Sequence, residues 1–191
     1  MKTTSSTTSG ASTPGPLATL VDFLNTLDPD TGEEAFDSSL AVAAWLAEHG
    51  LIRADVELGP RDRARTVRFR EALRDLVAGN AGAAIPAASI ERLNGVGARA
   101  RLAPVLDSAG RIRAATPAAG LADALGALLV VVGQAQAEGT WPRMKVCQAQ
   151  DCRRAFYDRS RNRSASWCSM AVCGSRVKMR RYRRRNSTGS G

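Results

Sequence analysis

The sequence predicts a mainly α-helical protein: a helical N-terminal domain with one β-hairpin, then a small four-cysteine module that ends in a basic helix. Three observations carry this expectation. Apolar residues recur at three- and four-residue spacing through most of the first 140 positions. Aromatics make up only 5% of the 191 residues within a 44% apolar fraction, so the core must be built from Ala, Leu and Val, a composition that favours closely packed helices. All four cysteines fall together near the C-terminal end.

The elements follow in order. Residues 1–16 are mostly Ser, Thr, Gly and Pro with no apolar segment, and read as a disordered leader without a secretory signal. Leu17, Leu20, Val21, Leu24 and Leu27 then recur at helical spacing, with Pro29 as a stop. Asp37 or Ser38 can cap a second helix through Trp45 and Leu46, ending near Gly50. Pro60 suits the first turn of a third, which turns Val67, Leu73 and Leu76 inward and runs to about Ala78. Pro86 opens a fourth with Ile90 and Leu93 on one face. Two short stretches, Arg101–Leu106 and Arg111–Thr116, flank Asp107-Ser108-Ala109-Gly110 and read as a β-hairpin. A long helix resumes from about Pro117 through Leu121, Leu125, Leu128, Leu129 and Val132. Its Gly126 and Gly133 cost about 1 kcal/mol each relative to Ala unless a neighbour packs closely there. Gly139-Thr140-Trp141-Pro142 breaks the pattern and marks a boundary.

Charge is distributed unevenly across that boundary. Residues 141–191 hold 14 of the 27 Lys and Arg against two acids, Asp151 and Asp158, a balance of +12 within a net charge of +9. The remainder is therefore slightly acidic, at −3. A near-neutral body with an intensely basic end is the footprint of a nucleic-acid contact. The longest apolar run, around Leu121 to Val132, contains Asp123 and is too short to cross a bilayer, so no membrane partner is expected. A cytoplasmic location follows as the expectation, and there clustered thiols more often bind metal than pair with one another.

The cysteines are spaced Cys147-x4-Cys152 and Cys168-x4-Cys173, with fifteen residues between the pairs. Two close pairs suit tetrahedral Zn²⁺, because each pair grips one edge of the tetrahedron. Four thiolates leave no open position for substrate or activated water, so the expected zinc site is structural, and the surrounding arginines offset its formal negative charge. Two disulfides would need an oxidising compartment. An Fe–S cluster also takes four cysteines, but the paired spacing and dense arginines favour zinc. A redox switch that ejects the metal stays compatible with the pattern.

Between the pairs, Phe156 and Tyr157 read as the end of a short strand, one of them packing with Trp167 and Val146. Arg153 and Arg154 follow the first pair. Arg159, Arg161 and Arg163, spaced by two in a loop, would splay toward a phosphate backbone. The second pair is expected to begin a helix from Cys168 to Arg185, roughly 27 Å long, with Met170, Cys173 and Val177 facing one way. Arg176, Lys178, Arg180, Arg181, Arg183 and Arg184 occupy its other sides, and arginine-rich surfaces suit bidentate contacts to phosphate or guanine.

These residues resemble a known family. Cys147-x4-Cys152, Phe156-Tyr157-Asp158-Arg159-Ser160-Arg161-Asn162-Arg163-Ser164, Trp167-Cys168-Ser169-Met170 and Cys173-Gly174-Ser175-Arg176 are similar to the CGNR-type zinc finger, with Ser175 where that family carries Asn. The preceding part resembles the ABATE domain through Asp22-Phe23-Leu24-Asn25-Thr26-Leu27, Ala44-Trp45-Leu46 and Arg70-Glu71-Ala72-Leu73-Arg74. The resemblance implies a transcription regulator with an ABATE-like helical domain over 17–139, a DNA-binding zinc finger over 140–186 and a flexible tail over 187–191. DNA is thus the expected partner, with RNA or an acidic protein as alternatives, and a homodimer or a small-molecule effector is compatible with the reading.

Asn25 and Thr26 are polar residues amid the first helix's apolar run. They suit either an effector pocket or, more commonly, caps and cross-bridges between helices. His49, the only histidine, sits at the end of the second helix without a carboxylate or cysteine constellation around it. No Ser/His/Asp set, phosphate-binding glycine loop or paired acidic motif is present, and no enzymatic activity is expected.

Overall fold

The computed structural model describes residues 13 and 15–187. The expected leader therefore lies almost wholly outside the described residues, as does the tail beyond 187. Six helices and two two-stranded sheets follow in the order α1 (Pro16–Leu24), α2 (Ser39–Glu48), α3 (Pro60–Gly79), α4 (Ala87–Gly97), β1 (Ala103–Leu106), β2 (Ile112–Ala115), α5 (Leu121–Ala137), β3 (Met144–Val146), β4 (Ala155–Tyr157) and α6 (Ser175–Ser187). A 3-10 turn (Trp141–Arg143) precedes β3, and a π-helical turn (Met170–Gly174) leads into α6.

Local chemistry explains most boundaries. Ser38 caps α2 by accepting from the Ala41 amide at 3.1 Å. Pro60 occupies the first position of α3, and Asp62 reaches back to accept from the Gly59 amide at 3.1 Å. The first hairpin pairs antiparallel from Ala103 with Ala115 to Leu106 with Ile112, its turn held by Asp107, which accepts from the amides of Ala109 and Arg111. Gly110 sits at φ 75°, the left-handed conformation this turn requires. A Cβ at Gly126 of α5 would run into the Ala100 side chain, whereas one at Gly133 would meet nothing. One glycine is thus a close-packing device, and the other is not.

The core lies between α1, α2, α3 and α5. Phe23 is its hub, with ring centroids 5.7 Å from Phe36, 5.5 Å from Trp45 and 5.9 Å from Phe69. Leu20, Leu24, Leu46, Leu73 and Leu128 complete the fully buried shell. This core does not stop at the glycine-rich break: Trp141, Met144, Val146 and Ala155 are buried in the same cluster. Strand alternation produces the division of labour, since Val146 and Ala155 turn one face of the second hairpin to the helices, while Phe156 on the other face packs with Trp167 around the cysteines.

Several details depart from the sequence reading. The first helix ends at Leu24, so Asn25 and Thr26 lie beyond it and Leu27 forms an isolated bridge with Glu34, and α5 starts at Leu121 rather than near Pro117. Ile90 is 37% exposed, and α4 buries Ser89 beside Leu93 because the Ser89 hydroxyl donates to Asp75 at 2.8 Å. The final helix starts at Ser175, not Cys168, because the wider π turn intervenes, and this shortens it to about 20 Å. Met170 is consequently exposed, and only Cys173 and Val177 of the expected trio pack inward.

Candidate metal centre and basic surface

The metal-binding geometry begins in the second hairpin. Met144 pairs with Tyr157 and Val146 with Ala155, so the connecting loop carries Cys147 and Cys152. The loop closes through the Cys147 amide donating to Arg154 O at 2.9 Å and the Cys152 amide to Ala149 O at 3.0 Å. Arg153, the residue after Cys152, takes a left-handed φ of 51°. Cys168 and Cys173 come from the segment around the π turn, whose start is capped by Ser169 accepting from the Val172 amide.

All four sulfur atoms lie within 4.8 Å of one another, with Cys152 Sγ 3.6 Å from Cys168 Sγ and Cys168 Sγ 3.7 Å from Cys173 Sγ. Four thiolates at the usual Zn–S bond length of about 2.3 Å would sit at tetrahedral edges of about 3.8 Å. The donor set therefore fits a soft tetrahedral cation. Protons bear on the same point. Burial pushes the Cys147 thiol up, but the amides of Ala149 and Cys168 and the neighbouring thiols outweigh it, so it ionises below the ordinary cysteine value. Burial and the adjoining sulfurs push Cys168 upward and Cys173 up to about 11. Burial thus opposes the charged form of Cys168 and Cys173, and a bound dication would stabilise their thiolates.

Beside the sulfurs, a buried ion pair organises the arginine loop. Lys145 Nζ donates to Asp158 Oδ2 at 2.7 Å, with the Asp158 side chain fully buried, and also to the carbonyls of Arg163 and Ala165. Asp158 in turn accepts from the amides of Ser160 at 2.8 Å and Ala165 at 3.0 Å. Burial opposes its charge, yet Lys145 and the Ser160 contacts prevail and hold its carboxyl at about 2. Arg143 completes the frame by donating to the carbonyls of Asp158 and Ser160. Arg159, Arg161 and Arg163 are thereby presented outward on a fixed loop.

Equally firm contacts join this region to the helices. Asn25 Nδ2 donates to Ala155 O at 2.9 Å and the Ala155 amide returns a bond to Asn25 Oδ1 at 2.8 Å, extending β4 by a side-chain amide. Arg74, nearly buried, donates to the carbonyls of Leu24 and Arg153, so one guanidinium clamps the end of α1 and the cysteine loop together. Glu71 spans Arg74 and Arg70, and Arg70, 1% exposed, forks onto Glu34 at 2.7 and 2.8 Å while also donating to Thr26. Asn80 donates to the carbonyls of Trp141 and Met144. Asn25 and Thr26 do border an open hollow with Asp22, Glu33 and Trp45, but their polar atoms are engaged in these bonds.

The eleven basic residues singled out in the sequence separate by partner. Arg153 pairs with Asp75 at 3.3 Å, Arg154 with Asp28 at 2.9 Å, Arg176 with Asp30 at 3.3 Å, and Arg180 with Asp151. Arg159, Arg161, Arg163, Lys178, Arg181 and Arg183 are exposed and have no acidic partner among the described residues. Arg184 lines a groove between the cysteine loop and α6 with Gln148, Gln150, Val177, Arg180 and Arg181. Lys145, Asp158, Arg143, Arg70, Arg74 and Asn80 were not distinguishable in the sequence as organising residues. A faint signal was Lys145, alone between the apolar Met144 and Val146.

The profile of the ABATE family, described as "Putative stress-induced transcription regulator", matches residues 17–159, three quarters of the chain. This chain belongs to the ABATE family. The CGNR zinc finger profile matches residues 143–186, which takes in all four cysteines. The two matches overlap across the second hairpin, the element that the helices and the cysteine cluster share. No curated protein matches the sequence. None of the described helices is long and apolar enough to cross a membrane.

Proposed function

We propose that this ABATE protein is a zinc-dependent, DNA-binding transcription regulator that acts without catalysis and resides in the cytoplasm on the nucleoid. The observation that carries the reading is the set of six exposed, unneutralised cations on two elements that flank the second cysteine pair in the chain: Arg159, Arg161 and Arg163 on the loop, Lys178, Arg181 and Arg183 on α6. Cys147, Cys152, Cys168 and Cys173 would hold Zn²⁺, which when bound supplies a crosslink between the hairpin loop and the turn before α6. The protein's own residues do the rest. Lys145, Asp158 and Arg143 fix the loop backbone, and the loop arginines and α6 then meet phosphates, with α6 of a size to enter a major groove. The helical body, over 17–139, serves sensing or dimerisation, and the finger over 140–186 serves binding.

Fluorescence anisotropy of the zinc-loaded protein on random duplex DNA and duplex RNA, across a salt series and with a chelated control, tests this. Neutralising up to six phosphates gives a slope of log K against log salt as steep as about −5. Zinc-dependent binding that prefers DNA supports the reading. Preference for RNA would make it an RNA-binding finger. A slope near zero would leave the basic surface to an acidic protein partner.

A further inference from the structure

A hollow of the helical body lies between α3, α4 and α5. Its floor is apolar, formed by Val96, Leu121 and the buried Leu125. Its rim is cationic: Arg65 and Arg68 come from α3, Arg92 from α4 and Arg99 from the turn that follows it. Glu91 is the one acid of the lining. Arg65 is shared with Asp62 at 3.2 Å and Arg99 donates to Gly95 O at 3.0 Å, but Arg68 and Arg92 have no acidic partner among the described residues. Leu121 and Ala122 at the start of α5 also line the hollow, while the acid of that first turn, Asp123, is already engaged by Arg101 at 2.6 Å.

Apolar floor and cationic rim together select a ligand with both characters. We infer that this hollow binds a small amphipathic anion, a carboxylate or phosphate on an apolar body, with the body on Val96, Leu121 and Leu125 and the charged head between Arg68 and Arg92. A neutral apolar molecule would make no use of the two exposed guanidinium groups. A fully polar anion would leave the floor wet. The site is separate from the cysteine cluster and its occupancy is read without nucleic acid, so it stands or falls independently of the DNA reading.

The test uses the full-length zinc-loaded protein and 1-anilinonaphthalene-8-sulfonate, an aromatic anion whose fluorescence rises in an apolar environment. Stoichiometric, micromolar binding is expected, displaced by decanoate or decyl phosphate and at least tenfold less well by decanol. Arg68→Ala with Arg92→Ala should weaken binding at least tenfold. Ala122→Phe should block it by filling the hollow with every arginine kept, and circular dichroism and thermal melting check that each variant folds. The inference is overturned if decanol competes as well as decanoate, or if both variants bind the probe like wild type. It is likewise overturned if the double variant keeps the probe while Ala122→Phe loses it, since the arginines would then take no part in binding.

Discussion

Replacing Asp158 by Asn tests how the arginine loop is held. In the folded protein the carboxyl titrates at about 2, against an ordinary value of 3.8. At 1.36 kcal/mol per pH unit, ionisation of this one group contributes about 2 kcal/mol at neutral pH. Because the folded value is depressed, the contribution is complete above 3.8 and is lost as pH falls from there through about 2. Asn also leaves Lys145, 8% exposed, without its counter-charge, and breaking a buried pair costs about 3–5 kcal/mol in all. Urea denaturation at pH 7, followed by tryptophan fluorescence, should therefore show Asp158→Asn less stable than wild type by that amount. The gap should narrow as pH drops below 3.8 and close near 2, with the metal contribution cancelling in the difference. A cost below about 1 kcal/mol, or a gap that persists undiminished in acid, would refute the argument that this pair frames the loop.

Arg74→Ala should cost about 3 kcal/mol or more by leaving the carbonyls of Leu24 and Arg153 without their shared donor, and should lower the melting temperature of helices and finger together. Gly126→Val should destabilise by about 1–3 kcal/mol because of Ala100, while Gly133→Ala should stabilise by up to about 1 kcal/mol; equal effects in thermal denaturation would contradict both. Cys152→Ser should abolish stoichiometric zinc uptake and release the 166–174 segment and α6, yet keep β3 and β4 protected in hydrogen exchange, because their inner face belongs to the main core. Arg181→Ala and Arg183→Ala should each reduce the salt slope of DNA binding by about 1, whereas Arg154→Ala, already neutralised by Asp28, should change it less.

Periodicity and capping made much of the fold legible. Ser38, Pro60 and the Asp107 turn act within a few residues of themselves, so local sequence suffices to place them. The cysteines were readable for a different reason: few chemistries need two such pairs. What stayed hidden depends on partners distant in sequence. Nothing local distinguishes the buried Arg70 and Arg74 from the exposed Arg65 and Arg68 on the same helix, since burial follows from Glu34, Leu24 and Arg153 arriving from elsewhere. Ile90 failed as an inward residue because Asp75 offers Ser89 a better reason to face in. Among the basic residues of the finger, composition counts charge, but only the fold shows which ones Asp28, Asp30, Asp75 and Asp151 have already satisfied.

The shared hairpin also has a consequence for biosynthesis. Asn25 is made early and its partner Ala155 comes 130 positions later. Until that strand leaves the ribosome, the nascent helices must leave uncovered the apolar surface that Trp141, Met144 and Val146 later seal. Completion of the body therefore waits on the segment that also delivers the first two cysteines. A chain that stalls before it would be a natural client for chaperones, and a finished body arrives with its first pair of thiols already in place.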